Sequence, residues 1–370
     1  MIRKVYRDLI TSKLRQEGPG WLYRRSRQYL LLHLSGLMHR PLCGPALGTL
    51  MVTYRCNFHC AMCEMPLKAA AQAGEGRREY DTARFMGIIG EFARLGVPGI
   101  GFTGGEPLLR EDIFELLACT RRHGMIAHLN TNGWLLGENE ARRIAEIGVD
   151  SVNVSLDGAT AATHDRIRKQ DGAFERATNA VRLLVRQHGR TGSRVRVKTV
   201  AVIDETNLDE IPEMIRLGQK LGTDCIEFIP RQPFCGATGE EKSSAGEALL
   251  DRVAAMAGFV QKQRSRVAIE NSPAHLRLFR SSFAGLPSPV RCRAGYNSLA
   301  VDCYGDIFPC VPWINWGKAV ANLGDRSLRE VWDSAEYQHQ RENVSKCRDC
   351  YLNCQAELNL LFDLASHLKF

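Results

Sequence analysis

The chain has 370 residues, 44% of them hydrophobic, and a formal net charge of +8, enough apolar chain for one large domain and a smaller companion. It has no run of about 18 apolar residues, so no transmembrane helix is expected. Its thirteen cysteines are odd in number and fall mostly at metal-ligand spacings, in a chain far longer than disulfide-stapled secreted domains. They point to a reducing cytosol and away from a disulfide framework.

Residues 1–47 read as a basic helical extension. Within the first 40, nine Lys or Arg (Arg3, Lys4, Arg7, Lys13, Arg15, Arg24, Arg25, Arg27, Arg40) stand against Asp8 and Glu17, which places +7 of the charge there. Arg24, Arg25 and Arg27 ahead of Tyr29-Leu30-Leu31-Leu32 mimic an export signal. The apolar run is short, however, contains His33 and is followed by no small-residue cleavage site. Gly18-Pro19-Gly20 breaks the segment into two surface helices with solvated charges. The sharper reading lays this basic amphipathic segment on an anionic membrane surface or against an acidic partner, which gives a cytoplasmic protein with peripheral contact at the inner membrane surface. Nucleic acid is not expected, because the charge is confined to one end and the remaining body is nearly neutral.

From Gly48 to Pro230 short β-rich runs alternate with helical stretches. Strands are predicted over 48–54, 97–104, 125–132, 150–157, 194–202 and 224–230, with helices of 3.6 periodicity over 83–96, 110–124, 138–148 and 174–189 between them. Six such units imply a parallel sheet with right-handed crossovers. A complete eight-unit barrel takes about 250 residues, more than this region supplies, so the expected fold is α/β, an open (β/α)6 partial barrel of the TIM type over 48–235. Functional groups then belong at the carboxyl ends of the strands, and polar motifs do follow each of the first four.

After the first strand comes TYRCNFHCAMCEMP, with Cys56, Cys60 and Cys63 in C-x3-C-x2-C spacing. Three thiolates on one tight loop can hold three irons of a 4Fe-4S cluster and leave the fourth iron open. A zinc loop would need a fourth ligand from His59, inside the loop, or Glu64, a poor match to closed sulfur and nitrogen sites. After the second strand, Gly104-Gly105-Glu106-Pro107 offers close backbone approach and a negative charge suited to a ligand ammonium. Asn130-Thr131-Asn132-Gly133 follows the third strand and Ser155-Leu156-Asp157-Gly158 the fourth.

With these motifs the chain resembles the radical S-adenosylmethionine superfamily. The resemblance implies that Cys56, Cys60 and Cys63, with Phe58 between the first two, carry a 4Fe-4S cluster whose open iron binds the amino and carboxylate groups of S-adenosylmethionine. An electron from the cluster then cleaves the sulfonium to a 5'-deoxyadenosyl radical, which takes a hydrogen atom from substrate. Thr103-Gly104-Gly105-Glu106-Pro107 looks like the segment that binds the methionyl amino group. Ser155 and Asp157 match the S-x-D-G segment near the methionine or ribose, and Arg168 occupies the position of an arginine that pairs with the cofactor carboxylate, a task its planar fork suits. Asn130, Asn132 and Lys198 line the adenosine or substrate side. A reductant such as flavodoxin or ferredoxin is implied as partner.

Of the cysteines outside the motifs (Cys43, Cys119, Cys225 and Cys235), Cys119 and Cys225 fall inside a helix and a strand and read as buried apolar thiols. Cys235, in the loop past the sixth strand, stands on the rim and is a candidate catalytic hydrogen-atom donor. Residues 236–285 read as a polar helical bridge. After residue 290 a second thiol set appears: Cys292, Cys303, Cys310, Cys347, Cys350 and Cys354. A zinc ribbon with four cysteine ligands is one reading of the paired spacing.

Segment 286–356 also resembles the auxiliary-cluster domain called twitch, or its larger form SPASM, a small β-hairpin and helix domain. The resemblance implies that Cys292 and Cys310 flank the hairpin and complete one auxiliary 4Fe-4S cluster with Cys347 and Cys350, for either of which Cys354 can substitute, while Cys303 is spare. No cysteine follows Cys354, so one auxiliary cluster is expected. Residues 357–370 read as an amphipathic helix capping the small domain or the open barrel edge.

The expected function is a radical S-adenosylmethionine oxidoreductase in which the auxiliary cluster accepts the electron left on the substrate, giving dehydrogenation or bond formation on a lipid-linked, sugar or other small-molecule substrate. A ribosomal-peptide maturase is the alternative. The 47 residues before the barrel are too few for a winged-helix recognition module of about 80. A non-catalytic iron-sulfur carrier or scaffold is the alternative of another class, and the Gly-Gly-Glu-Pro and Ser-x-Asp motifs weigh against it, since a carrier needs no amino-acid-ligand site.

Overall fold

The computed structural model describes residues 14, 18–188, 195–232, 245–315 and 319–362. Six β/α units run through the first two thirds of the chain. The strands are β1 (Leu47–Met51), β2 (Gly99–Thr103), β3 (Ile126–Thr131), β4 (Ser151–Ser155), β5 (Arg196–Ile203) and β6 (Cys225–Pro230). Each pairs in parallel with the next, in sequence order. All six lie inside or within a residue of the spans expected from the sequence.

Ahead of them lies α1 (Pro19–Met38). α2 (Met65–Gly74) follows the first cysteine loop and α3 (Thr82–Arg94) leads into β2. α4 (Ile113–Arg122), α5 (Glu138–Ile147), α6 (Ala161–Arg168), α7 (Ala173–Arg186) and α8 (Ile211–Leu221) complete the crossovers. α3 shows why these segments fold as they do. The Asp81 carboxylate accepts from the Arg84 N–H at 2.8 Å and caps the helix, and Phe85, Ile88, Ile89 and Phe92 form one buried stripe against the sheet.

The strands alternate between two faces. Leu129, Val152, Val154 and Val197 enter the core beneath the helices, and the residues between them face the concave side. That side is polar, carrying His128 and Asn130 from β3, Ser151, Asn153 and Ser155 from β4, and Arg196 and Lys198 from β5. Cys225, expected as an apolar core thiol, faces this side as well. Its Sγ lies 3.4 Å from Glu270 Oε2, so it is buried among charges.

Two edges remain, and different segments cover them. β7 (Ser298–Val301) pairs in parallel with β1, and β8 (Asp306–Phe308) and β9 (Ala321–Asn322) continue antiparallel, giving one nine-stranded sheet in the order β6-β5-β4-β3-β2-β1-β7-β8-β9. The C-terminal hairpin therefore extends the barrel sheet itself. At the other edge α9 (Glu247–Gln263) and α10 (Pro273–Phe283) flank a segment that bridges Ile226 to Ile269. The Asn271 side chain accepts from Phe228 N at 2.9 Å and donates to Phe228 O at 2.6 Å, closing the unpaired groups of β6.

Short α11 (Val311–Asn315), α12 (Leu328–Trp332) and α13 (Ala335–Ser345) lead to α14 (Asn353–Phe362), which joins the two edges. Its Asn353 donates to Glu227 of β6, while Gln355 accepts from Ser298 Oγ at 2.7 Å at the start of β7. Among the described residues no helix is long and apolar enough to cross a membrane.

One contact between the hairpin and the barrel carries a pH dependence. The Tyr54 hydroxyl donates to Asp302 Oδ2 at 2.5 Å, and Asp302 also accepts from the N–H groups of Tyr304 and Asp306. Burial pushes the Asp302 carboxyl from its ordinary 3.8 up to about 6, against those hydrogen bonds. A folded-state pKa above the unfolded one means that the protonated group's contribution is present below about pH 4 and is lost as pH rises through 6. Asp302→Asn removes that loss. The variant is expected to be more stable than wild type well above pH 6, on the order of 3 kcal/mol, with the curves converging near pH 4; thermal unfolding across pH checks it.

Candidate functional site

The first cysteine loop leaves β1 at the carboxyl edge of the sheet and is held on three sides. From β2, Gly105 N donates to Thr53 O at 2.8 Å and Glu106 N to Arg55 O at 2.9 Å. From β3, Asn132 Nδ2 donates to Asn57 Oδ1 at 2.9 Å. From α6, Ala61 N donates to Ile167 O at 2.9 Å. Phe58 is buried, edge-on to Trp134 with ring centres 5.6 Å apart, and packs with Cys56, Cys60 and Met62. Inside the loop Phe58 N donates to Cys56 Sγ at 3.4 Å and Cys63 N to Cys60 O at 3.1 Å. All three thiols are free and close enough to act on one another electrostatically. Burial first, then the neighbouring thiols and Glu106, lift Cys56 to about 11, despite a backbone hydrogen bond that opposes the rise.

The glycines expected for close ligand approach have a second job. A Cβ on Gly104, whose φ is 153°, would stand 2.2 Å from Thr53 O, and one on Gly105 2.1 Å from Arg55 O. Only glycine lets this segment lie against the start of the loop. Thr103 pairs with Met51 just before it.

Glu106, expected as the charge for a ligand ammonium, sits at the end of β2 facing β3. It is fully buried, and its carboxylate accepts from Thr131 Oγ1 at 2.8 Å, Asn132 N at 2.7 Å and Leu108 N at 3.1 Å. Burial raises its pKa in spite of these bonds. The side chain ties the end of β2 to the end of β3.

Asp157 and Arg168 form a pair. Asp157 is 0% exposed; its Oδ2 lies 2.5 Å from Arg168 Nε, and its Oδ1 accepts from Val202 N at 2.8 Å. Asn207 Nδ2 donates to the Asp157 carbonyl at 2.8 Å, and the Asp157 N–H donates to His164 Nδ1 at 3.0 Å. Arg168 Nη1 reaches Cys60 Sγ at 3.8 Å. Burial disfavours the Arg168 cation, and Asp157 and Cys60 more than restore it. The arginine expected to pair with a cofactor carboxylate is thus anchored by Asp157 and laid against the cysteine loop. Ser155, two residues earlier, is the register partner of Val200 and faces the concave side. Asn130 lies on that side too, bonded to Phe102 O and Asn153, while Asn132 belongs to the loop anchor. Cys235 lies outside the described residues.

The second thiol set gathers where the hairpin, α13 and α14 meet. Cys292 and Cys310 are buried with Ala294, Val344, Trp313 and Cys347. Cys347 packs beside Cys292, and that neighbour holds the Cys347 thiol down to about 7 against burial while Cys292 itself is raised. Cys310 is pushed well up by burial and then by Cys350, Cys347 and Cys354. Cys303 sits apart in the main core, beside Asp302 and Glu79. The 347–354 run docks on the end of β6, where Tyr351 N donates to Gln232 Oε1 at 2.8 Å. Burial lifts Cys354 to about 11, followed by the charge of Glu227.

Both sets are all-thiol and reduced, running from buried Cys60, Cys292 and Cys310 to exposed Cys63 and Cys354, a donor set that suits iron and sulfide once metal displaces the thiol protons. Among the described residues no group of three or more His, Cys, Asp or Glu is arranged round a single metal ion. Cys56, Cys60 and Cys63 would hold the catalytic cluster, with the backbone of 104–106 and the concave side left for S-adenosylmethionine.

Sequence reasoning missed Trp134, Glu227, Glu270 and Asn353. Period-2 alternation would have placed Glu227 on the polar face of β6. Nothing local signals the other three, which enter through tertiary contact.

Both thiol-bearing segments match known families. Residues 50–218 match the model of the radical SAM superfamily, and 292–351 match SPASM, an iron-sulfur cluster-binding domain. The chain is 27% identical over 326 residues to the AdoMet-dependent heme synthase of Methanosarcina barkeri, covering 83% of this chain and 88% of that protein. It is 28% identical over 292 residues to the PqqA peptide cyclase of Gluconobacter oxydans, covering 76% and 75%. Among solved structures, Streptococcus suis SuiB aligns with a TM-score of 0.65 at 17% identity, over 92% of this chain and 79% of that one. Native anSMEcpe with bound AdoMet and Cp18Cys peptide aligns with a TM-score of 0.63 at 16% identity, over 88% of this chain and 98% of that one. These structures share the open α/β barrel.

Proposed function

The chain is a radical SAM enzyme with a SPASM domain, and we propose that it is an oxidoreductase acting on a peptide substrate, with one auxiliary 4Fe-4S cluster as electron acceptor. When bound, the catalytic cluster and S-adenosylmethionine supply a radical that removes a hydrogen atom from the substrate, and the auxiliary cluster supplies an acceptor for the remaining electron.

The observation that carries this reading is the contact between Asn353 and Glu227. Asn353 stands between Cys350 and Cys354, and Glu227 is the register partner of Val200 on the concave side, next to Ser155. One lumen therefore meets both thiol sets, which suits a substrate that gives a hydrogen atom at one end and an electron at the other. The chain's own residues hold the parts: Arg168 and Asp157 fix the cysteine loop against α6, Gly104 and Gly105 bring β2 against it, and α14 closes the lumen between β6 and β7. The likeness to the PqqA peptide cyclase supports the peptide substrate.

Formation of 5'-deoxyadenosine by the reconstituted protein under a strong reductant tests the enzyme reading, and its absence would sink it. If the acceptor role is right, variants lacking Cys292 and Cys310 still form 5'-deoxyadenosine but no oxidised peptide.

A peripheral contact is also proposed. α1 buries Trp21 and Leu32 but leaves Leu22, Tyr23, Leu30 and Leu37 exposed, the last at 72%, beside exposed Arg24, Arg27 and Arg40. Such a face suits an anionic bilayer. Leu30→Glu with Leu37→Glu is expected to abolish co-sedimentation with phosphatidylglycerol vesicles, and undiminished binding would count against it. Deleting α1 is the poorer test, because its buried side also packs on the barrel.

A further inference from the structure

On the concave side Asn130, Asn153 and Lys198 are register partners on β3, β4 and β5, one layer below the rim where Ser155 stands. The orientation of this layer is set from one end. Asn130 Nδ2 lies 3.2 Å from the Phe102 carbonyl, which can only accept, so the donor end of the Asn130 amide is fixed there. Its Oδ1 then accepts from Asn153 Nδ2 at 3.0 Å and lies 3.3 Å from His128 Nε2. His128 is held uncharged, at about 3, by burial and then by Lys198. Each link fixes the next, and the relay ends by presenting Asn153 Oδ1, a buried acceptor that no group among the described residues satisfies.

Beside it stands Lys198, 8% exposed, whose ammonium has Glu227 Oε2 at 3.6 Å as its ion-pair partner and makes no hydrogen bond among the described residues. Burial disfavours this cation, but Glu227 and Glu270 hold it charged. Among the described residues the lower lumen is also electrically balanced, since Arg196 pairs with Glu270 as Lys198 does with Glu227. A buried donor and a buried acceptor face one layer in which a further charge would find no counter-ion.

The geometry points to Lys198 and Asn153 as a subsite for an uncharged amide of the substrate, Lys198 donating to its C=O and Asn153 Oδ1 accepting from its N–H. This rests on the proposed function and deepens it, since the amide is either a main-chain peptide group or a side-chain carboxamide.

Ligand-observed NMR on the cluster-loaded full chain with S-adenosylmethionine tests it. The probes are N-acetylalanine methylamide for the peptide group, propionamide for the carboxamide, methyl glucoside for hydroxyls and glutarate for an anion. Saturable binding of one or both amides is expected, and whichever binds more tightly names the source. That binding weakens at least about tenfold in Asn153→Leu and in Lys198→Met/Glu227→Gln, the double variant keeping the charge balance. Thermal unfolding and iron content confirm that both variants fold and load. Tighter binding of glutarate or methyl glucoside, binding unchanged in the variants, or no amide binding at all overturns the subsite and leaves the pair with bound water alone. Formation of 5'-deoxyadenosine without substrate reports on the enzyme reading separately, so the two can fail independently.

Discussion

Replacing Gly105 by alanine is expected to cost the protein about 3 kcal/mol or more and to empty its catalytic iron-sulfur site. The added Cβ would lie 2.1 Å from Arg55 O, 2.5 Å from Arg55 C and 2.7 Å from Tyr54 O. These are backbone atoms, which cannot rotate aside as a flexible side chain would. Relief must come from moving the β1 end away from β2, which breaks the bonds from Gly105 N to Thr53 O and from Glu106 N to Arg55 O. Arg55 immediately precedes Cys56, so the displacement passes straight to the first thiol. Gly87→Ala is the control: nothing lies within 4 Å of a Cβ there, and within α3 alanine is expected to stabilise by about 0.5–1 kcal/mol. Denaturant unfolding and iron content of the two variants check both halves.

Asp157→Ala is expected to cost about 3–5 kcal/mol, because it strands the buried Arg168 without a counter-ion. The same change removes the bond from Val202 N that ties the end of β4 to β5. Asp157→Asn keeps an acceptor for that N–H but turns an amide donor toward Arg168 Nε, so it restores the Val202 bond and not the pairing and should fall between alanine and wild type. Arg168→Met keeps much of the volume and removes the cation beside Cys60. It is expected to lower the midpoint potential of the catalytic cluster, since a cation near a cluster thiolate favours the reduced state. A purely structural role for Arg168 would leave the potential unmoved.

How much of this was legible depends on how local each signal is. The six strands could be read because β-rich runs and helical periodicity alternate in order, and the cysteine loop and rim motifs could be placed because they follow strand ends. The hairpin was also visible, but its parallel pairing with β1 was not, since Leu47↔Ser298 joins residues some 250 apart and nothing in either segment names the other. Glu106 and Arg168 show a different limit. Motif reading assigns a charged side chain to a ligand but cannot show its protein partners, here Thr131 and Asn132 for Glu106 and Asp157 for Arg168, which come from other strands and loops. The polar lumen was half legible. Alternation in β3 to β5 puts His128, Asn130, Asn153 and Lys198 on one face, but Glu270 and Asn353 arrive from the helical bridge and the last cysteine run, which no period links to the barrel.

The measurement that tests the two-cluster account most directly is anaerobic iron and sulfide content with Mössbauer spectroscopy, on wild type and on the Cys56→Ala/Cys60→Ala/Cys63→Ala variant. About eight irons in wild type and about four in the variant are predicted, one 4Fe-4S cluster for each thiol set. About four irons in wild type and none in the variant would contradict it, leaving the C-terminal cysteines without a cluster and the substrate electron without its acceptor.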